Sequence, residues 1–121
     1  MKRLLLGLFA SLSAAAIVPL AGAHAFLESS VPAAGSTIHR SPSELKLRFT
    51  QRIEPAFSEV RVLDRGGKQV DKGDPRVDGA DATLLVVSLP LLANGKYRVK
   101  WRVLSVDSHV IEGGFTFDVA P

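Results

Sequence analysis

The sequence offers few residues that could do chemistry, and the most concentrated group is Asp107-Ser108-His109. The chain has three histidines and no cysteine, which excludes a cysteine nucleophile. It has no Gly-x-Ser-x-Gly nucleophile elbow and no glycine-rich phosphate loop. In an extended segment Asp107 and His109 would project to the same side and could converge on one ion. Metal binding is therefore the chemistry that these residues favour.

Residues 1–23 have the form of a secretory signal peptide. They begin with the basic pair Lys2-Arg3, continue through an apolar run from Leu4 to Leu20, and end on Ala21-Gly22-Ala23, which fits the small-x-small cleavage rule. Two serines and a proline interrupt the apolar run, so the alternative of an uncleaved membrane anchor fits less well. We expect an exported, periplasmic protein whose mature domain is residues 24–121.

Cleavage after Ala23 would make His24 the first residue, and its α-amine and Nδ1 could then chelate one metal ion. A cut after Ala25 also satisfies the cleavage rule and would discard His24. With the first cut, His24, Asp107 and His109 together supply three nitrogens and one oxygen. Such a set in a tetragonal plane suits Cu(II), whereas Zn(II) prefers a tetrahedron and Cu(I) prefers sulfur, which the mature chain lacks.

Length and charge restrict the class of protein. The 121 residues allow one domain with its own core, and the 46% hydrophobic content argues against disorder. The formal net charge is +3, but the chain after residue 23 holds 13 basic and 12 acidic residues. That near-balance gives no clustered positive excess for binding phosphates, so we expect no nucleic-acid partner. We expect a monomer.

Alternation of apolar and polar residues predicts the strands that position these side chains. The alternating runs are residues 44–49, 60–62, 96–103 and 115–119. Residues 83–89 are apolar on both faces, which is typical of a central strand. Turn residues separate the runs, among them Gly113-Gly114. About seven short strands in fewer than 100 residues predict an all-β fold, an antiparallel Greek-key β-sandwich, with an open barrel as the alternative.

The apolar sides of these strands are expected to form the core. The expected core residues are Leu45, Leu47, Phe49, Tyr97, Val99, Trp101, Val103, Phe115 and Phe117. The other side of the strand at 96–103 is a stripe of four basic residues, Lys96, Arg98, Lys100 and Arg102. We interpret this stripe as a solvated face that pairs with acidic residues on neighbouring strands, with a docking surface as the alternative.

The mature sequence resembles the periplasmic copper-binding proteins of the CopC family over essentially all of residues 24–121. The most specific segment is residues 92–109, which is similar to the family pattern L-x-x-G-x-Y-x-V-x-W-R-V-x-S-x-D-x-H. His24-Ala25 matches the family's mature start, and residues 30–35 resemble its S-x-P-A-x-G. Residues 113–119 complete the resemblance with G-x-F-x-F-x-V.

This resemblance implies an Ig-like β-sandwich that binds one Cu(II) per chain through His24, Asp107 and His109. It implies copper storage, delivery or resistance in the periplasm, often beside an inner-membrane protein of the CopD type, and no enzymatic activity. One alternative is an oxidative copper enzyme with an N-terminal His copper site. The other is a metal-free Ig-like interaction module, which would follow if processing removes His24.

The sequence departs from the family pattern at two places. The region Asp64–Asp78 contains no Met or His, where some members carry a Met-rich loop for Cu(I), so we infer a single-site member that binds only Cu(II). Gln51 stands two residues after Phe49, where many members have Glu, so a neutral amide replaces a carboxylate near the copper. His39 matches no ligand position of the family and is interpreted as a surface residue.

Overall fold

The computed structural model describes residues 26–121, which form two four-stranded β-sheets packed face to face. The strands are β1 (Leu27–Val31), β2 (Thr37–Ile38), β3 (Glu44–Phe49), β4 (Glu59–Leu63), β5 (Arg76–Val77), β6 (Leu84–Ser88), β7 (Gly95–Leu104) and β8 (Val110–Val119). A single 3₁₀ turn, Pro55–Phe57, lies between β3 and β4. The predicted all-β sandwich is confirmed. No helix within the described part of the chain has the length and apolar character needed to cross a membrane.

One sheet has the strand order β1-β3-β6-β5 and the other has the order β2-β8-β7-β4. The structure has eight strands, and three of them, β1, β2 and β5, match none of the five runs expected from the sequence. β2 and β5 contain two residues each, too few to show alternation, and β1 has the sequence Leu-Glu-Ser-Ser-Val, which does not alternate. β2 pairs with β8 in parallel, where antiparallel pairing was expected throughout. The chain leaves β1 in one sheet and crosses to the edge of the other, where the Gly35 N–H donates to the Thr116 carbonyl at 2.7 Å. The strand predicted to be central is β6, which lies between β3 and β5.

The core lies between the inward faces of the two sheets. Of the nine expected core residues, seven are buried, and Trp101 and Phe115 are partly buried against them. Each fully buried side chain of this size stabilises the fold by about 1.5–3 kcal/mol. Phe49 meets Trp101 edge-on with ring centroids 6.2 Å apart, and Phe115 lies 5.9 Å from the same indole. The aromatic residues therefore join the two sheets near the end of β7.

Gly113 and Gly114 lie inside β8, so the turn predicted at these glycines is wrong. A Cβ on Gly113 would lie 2.3 Å from Cζ2 of Trp101, and a Cβ on Gly114 would lie 2.7 Å from the Val99 carbonyl oxygen. The two glycines thus make room for the indole and for the close approach of β7, a role that glycine plays within strands. The hairpin turns instead at residues 105–109, between the ends of β7 and β8.

The basic stripe on β7 faces away from the core. Lys96 pairs with Asp118 and Arg102 pairs with Glu112, each at 3.1 Å across the β7–β8 pair. The predicted pairing with acidic neighbours is therefore confirmed at both ends of the stripe. Between the two ends, Arg98 and Lys100 form no ion pair with any residue in the range 26–121.

Asp81 organises the loop that leads into β6. Its Oδ1 accepts a hydrogen bond from the Thr83 N–H at 3.0 Å and another from the Thr83 hydroxyl, while Arg48 of β3 donates to its Oδ2. The Thr83 hydroxyl, the Thr83 N–H and Arg48, in that order of effect, lower the pKa of Asp81 to about 2. The ionised carboxylate is thus more favourable in the folded chain than in the unfolded chain.

We expect Asp81→Asn to lower the melting temperature at pH 7 by a few degrees. The folded-state pKa lies below the ordinary value of 3.8, so the stabilisation is complete above that value and is lost as the pH falls toward 2. The difference between the variant and the parent should shrink by about half between pH 7 and pH 3. Thermal melts of both proteins at pH 7, 5 and 3 measure it. A difference that stays constant over this range would show that the charge of Asp81 does not contribute.

Candidate metal centre

The turn at residues 105–109 carries Asp107 and His109. The Ser105 N–H donates to the His109 carbonyl at 2.9 Å, and the Ser108 N–H donates to the Ser105 carbonyl at 2.9 Å. Ser108 adopts φ +72°, a left-handed conformation that is uncommon for a residue other than glycine. The expectation of an extended Asp-x-His segment is therefore wrong. The tight turn, rather than the alternation of a strand, brings the two side chains together.

Asp107 and His109 lie within reach of a common ion. The Nδ1 of His109 is 3.1 Å from the Oδ1 of Asp107. Two donors bonded at right angles to one ion at about 2 Å lie about 2.8 Å apart, so this separation needs little adjustment. The side chains are 50% and 32% exposed, so an ion can reach them from solvent.

Ser105 holds the Asp107 carboxylate in place. Ser105 is only 1% exposed, and its hydroxyl donates a hydrogen bond to the Oδ1 of Asp107. This hydrogen bond is the main cause that lowers the pKa of Asp107, and hydrogen bonds from the His109 side chain and backbone N–H lower it further. The carboxylate is therefore kept in the ionised form that binds metals. Ser105 is not among the predicted ligands, although it stands in the S-x-D-x-H pattern.

Backbone contacts attach this turn to the segment that follows β3. Ile53 forms a bridge with Ser105, and the Val106 N–H donates to the Arg52 carbonyl at 3.1 Å. The Glu54 N–H donates to the carbonyl of the last β7 residue at 2.8 Å. Residues 52–54 therefore run alongside the base of the Asp107 turn.

The other end of the same segment holds the first described residue. The Phe26 N–H donates to the Thr50 hydroxyl oxygen at 2.9 Å, and the Thr50 N–H donates to the Phe26 carbonyl at 2.9 Å. Gln51, the residue that departs from the family's Glu, lies half-buried between Thr50 and the bridge at Ile53. The chain thus enters the sandwich at the same end as the turn that carries Asp107 and His109.

Two of the three predicted ligands are brought together by the structure, and the third, His24, lies outside the described residues. Among residues 26–121, no group of three or more His, Cys, Asp or Glu side chains is arranged to hold a metal ion. Asp107 and His109 by themselves offer two donors, fewer than the four that a tightly bound ion of this kind needs.

His39 lies far from this turn. It follows β2, and its Nδ1 is 3.2 Å from the Ala120 carbonyl oxygen beyond the end of β8. β2 pairs with the last residues of β8, whereas His109 precedes the first, so the two histidines are separated by about 30 Å of strand. His39 is exposed, as expected of a surface residue.

Comparison with known proteins identifies the family. The family model of the CopC domain matches residues 27–120. Copper resistance protein C of Escherichia coli is 34% identical over 104 residues, which cover 80% of this chain and 82% of that protein.

Two solved structures share the fold. The crystal structure of CopC from Methylosinus trichosporium OB3b is 41% identical with a TM-score of 0.76, covering 81% of this chain and 95% of that one. The structure of PcoC, a methionine-rich copper resistance protein from Escherichia coli, is 32% identical with a TM-score of 0.68, covering 80% of this chain and 99% of that one. A family model that matches almost the whole sandwich, together with these relatives, places the chain among the CopC proteins: it is a member of the CopC family.

Proposed function

We propose that this chain is an exported copper-binding protein that holds one Cu(II) through His24, Asp107 and His109, for copper storage, delivery or resistance. As a CopC-family protein it belongs to a class that binds and transports copper and is not enzymatic. The observation that carries the proposal is the 3.1 Å approach of His109 Nδ1 to Asp107 Oδ1 on a turn fixed by the buried Ser105.

The position of Phe26 supports His24 as the remaining ligand. Phe26 is fixed to Thr50 by two hydrogen bonds of 2.9 Å, and the segment that begins there is bonded to the Asp107 turn through Arg52. Only two residues separate Phe26 from His24, a span of at most about 7 Å, so the proposed ligand is joined by a short tether to the end of the sandwich that carries Asp107 and His109. Its α-amine and imidazole would add two nitrogens to the nitrogen of His109 and the carboxylate oxygen of Asp107.

The donor set favours Cu(II) over other ions. Three nitrogens and one carboxylate oxygen suit the tetragonal preference of Cu(II), whereas structural zinc sites are tetrahedral and rich in Cys and His. Cu(I) prefers thioether or thiolate sulfur, but the chain has no cysteine, and its one methionine is Met1. In this respect it differs from PcoC, which is described as methionine-rich.

The proposal also includes export to the periplasm after cleavage following Ala23, because only a free α-amine on His24 completes the donor set. Delivery to, or acceptance from, an inner-membrane CopD-type protein remains a prediction from the family resemblance, as does the monomeric state.

Copper titration of the exported protein tests the proposal. The full chain is expressed with its own leader, the mature amino terminus is identified by intact mass, and Cu(II), Zn(II) and Ag(I) are added separately, with Ag(I) standing for Cu(I). We expect one Cu(II) per chain, with nitrogen superhyperfine splitting in the electron paramagnetic resonance spectrum, and weaker binding of the other two ions. A mature protein that begins at His24 and does not bind Cu(II) would contradict the proposal.

A further inference from the structure

The outer face of the sheet β2-β8-β7-β4 has three basic residues at its middle, Arg61, Arg98 and Lys100, which we name the cationic centre. Arg61 of β4 is directly opposite Lys100 of β7 in the strand register, and Arg98 lies two residues from Lys100 on the same strand. All three side chains are exposed, and none forms an ion pair within residues 26–121. A face that only contacts solvent does not require three unpaired basic side chains to lie next to one another.

Like charges directly opposite each other on neighbouring strands destabilise a sheet. Lys100 has Arg61 on one side and Gly114 on the other, so no carboxylate stands directly opposite it. The nearest carboxylates on the two neighbouring strands, Glu59 and Glu112, lie one pair further along, opposite Arg102. The ends of the same face show that pairing is available to the sheet, since Arg102 has Glu112 at 3.1 Å. The uncompensated charge is therefore confined to the middle of the face.

The surface around the cationic centre is open beside β8. Gly114 and Thr116 stand opposite Lys100 and Arg98, and they line a depression of about 340 Å³ together with those two basic residues. Asp64 lies on the other flank near Arg98, but its Oδ1 accepts the Lys68 N–H at 2.9 Å. A ligand with carboxylates would thus meet Arg98 and Lys100 on the β8 side of β7, where no carboxylate lines the depression.

We propose that the cationic centre is a docking site for an acidic segment of a partner protein in extended conformation. Lys100 and Arg98 are about 7 Å apart along β7, which is also the spacing of alternate side chains in an extended peptide. Glu59, Glu112 and Asp118 border the face at its two ends. These carboxylates would repel a broad anionic surface such as a bilayer, but they leave room for two or three carboxylates of a single segment.

A labelled octapeptide of alternating Glu and Thr tests this proposal by fluorescence anisotropy with the copper-free mature protein. We expect saturable binding that weakens with salt, and no binding of the matching peptide of alternating Gln and Thr. The double variant Arg61→Gln, Lys100→Gln should bind the acidic peptide about tenfold more weakly, because two of the three charges are gone. The control Lys46→Gln, Lys72→Gln removes the same net charge elsewhere and should bind as the parent does.

Three results would overturn the proposal. The first is equal binding of the peptide by both double variants, and the second is binding only to vesicles of anionic phospholipid. The third is a lower melting temperature for Arg61→Gln, Lys100→Gln, since relief of a like-charge pair should leave the stability unchanged or raise it. The assay contains no copper, so its failure leaves the copper proposal intact, and the reverse also holds.

Discussion

Addition of one glycine before His24 of the processed protein is expected to weaken Cu(II) binding by several orders of magnitude. The extension moves the free amine away from the imidazole and turns the His24 nitrogen into a peptide amide, which is a far weaker donor unless the metal displaces its proton. One strong donor and its chelate ring are lost while every side chain is kept. Metal affinity falls when a ligand is lost, because the bond between that ligand and the metal no longer contributes to the free energy of binding.

The extended protein should fold as the parent does. Phe26 remains bonded to Thr50 in both proteins, so the melting temperature without copper should be the same. Competition against a chelator of known affinity near pH 7 measures binding, and intact mass verifies the first residue. A glycine added after Pro121 is the matched control and should change neither property. If the extended protein binds Cu(II) as tightly as the parent, the N-terminal chelate is wrong.

His109→Ala is expected to weaken Cu(II) binding more than about 100-fold, since loss of even an outer partner of a ligand costs about 10- to 100-fold. The His109 backbone carbonyl, which accepts the Ser105 N–H at 2.9 Å, is unchanged by this substitution. The side chain is 50% exposed, so its removal leaves no cavity in the core. We therefore expect the turn and the fold to remain.

His39→Ala is the matched control for His109→Ala. It removes an exposed imidazole of the same chemistry about 30 Å along β8 from the turn, so Cu(II) affinity should be unchanged. The same chelator competition compares the two variants. If His109→Ala keeps its Cu(II) affinity and His39→Ala loses it, the copper site lies at the opposite end of the sandwich, and the assignment of His109 as a ligand is wrong.

Patterns of period two predicted most of the sheet architecture. The run from Glu44 to Phe49 matches β3, and the run at 96–103 lies within β7. Alternation is reliable for β3 and β7 because each of them has one face in the core and one in solvent. β2 and β5 were not predicted because two residues cannot display a period, and β1 was not predicted because its apolar residues do not alternate with polar ones.

The structural role of Gly113 and Gly114 could not be predicted from the sequence in the same way. Gly113-Gly114 is as typical of a turn as of a close strand contact, and a local sequence contains no information about what lies opposite. The structure places the Trp101 indole against Gly113 and the Val99 carbonyl against Gly114. The glycine at position 113 is therefore needed because of Trp101, which lies opposite it on the other strand of the hairpin.

The sequence by itself determined the residue types of the candidate site and the family to which the chain belongs. Asp107 and His109 are adjacent enough in the chain for their convergence to be a local property, and the pattern around them is specific. The sequence also determined that the four basic side chains of β7 share one face, because basic and apolar residues alternate along this strand.

Only the tertiary structure decided how these residues are used. The left-handed Ser108 and the buried Ser105 hydroxyl set the geometry of the Asp107 turn, and the hydrogen bonds of Phe26 to Thr50 bring the start of the domain to that end. Strand order likewise gave Lys100 a cationic neighbour in Arg61 rather than an acidic one. Such pairings join residues distant in sequence, and their energies depend on distances that a linear pattern does not contain.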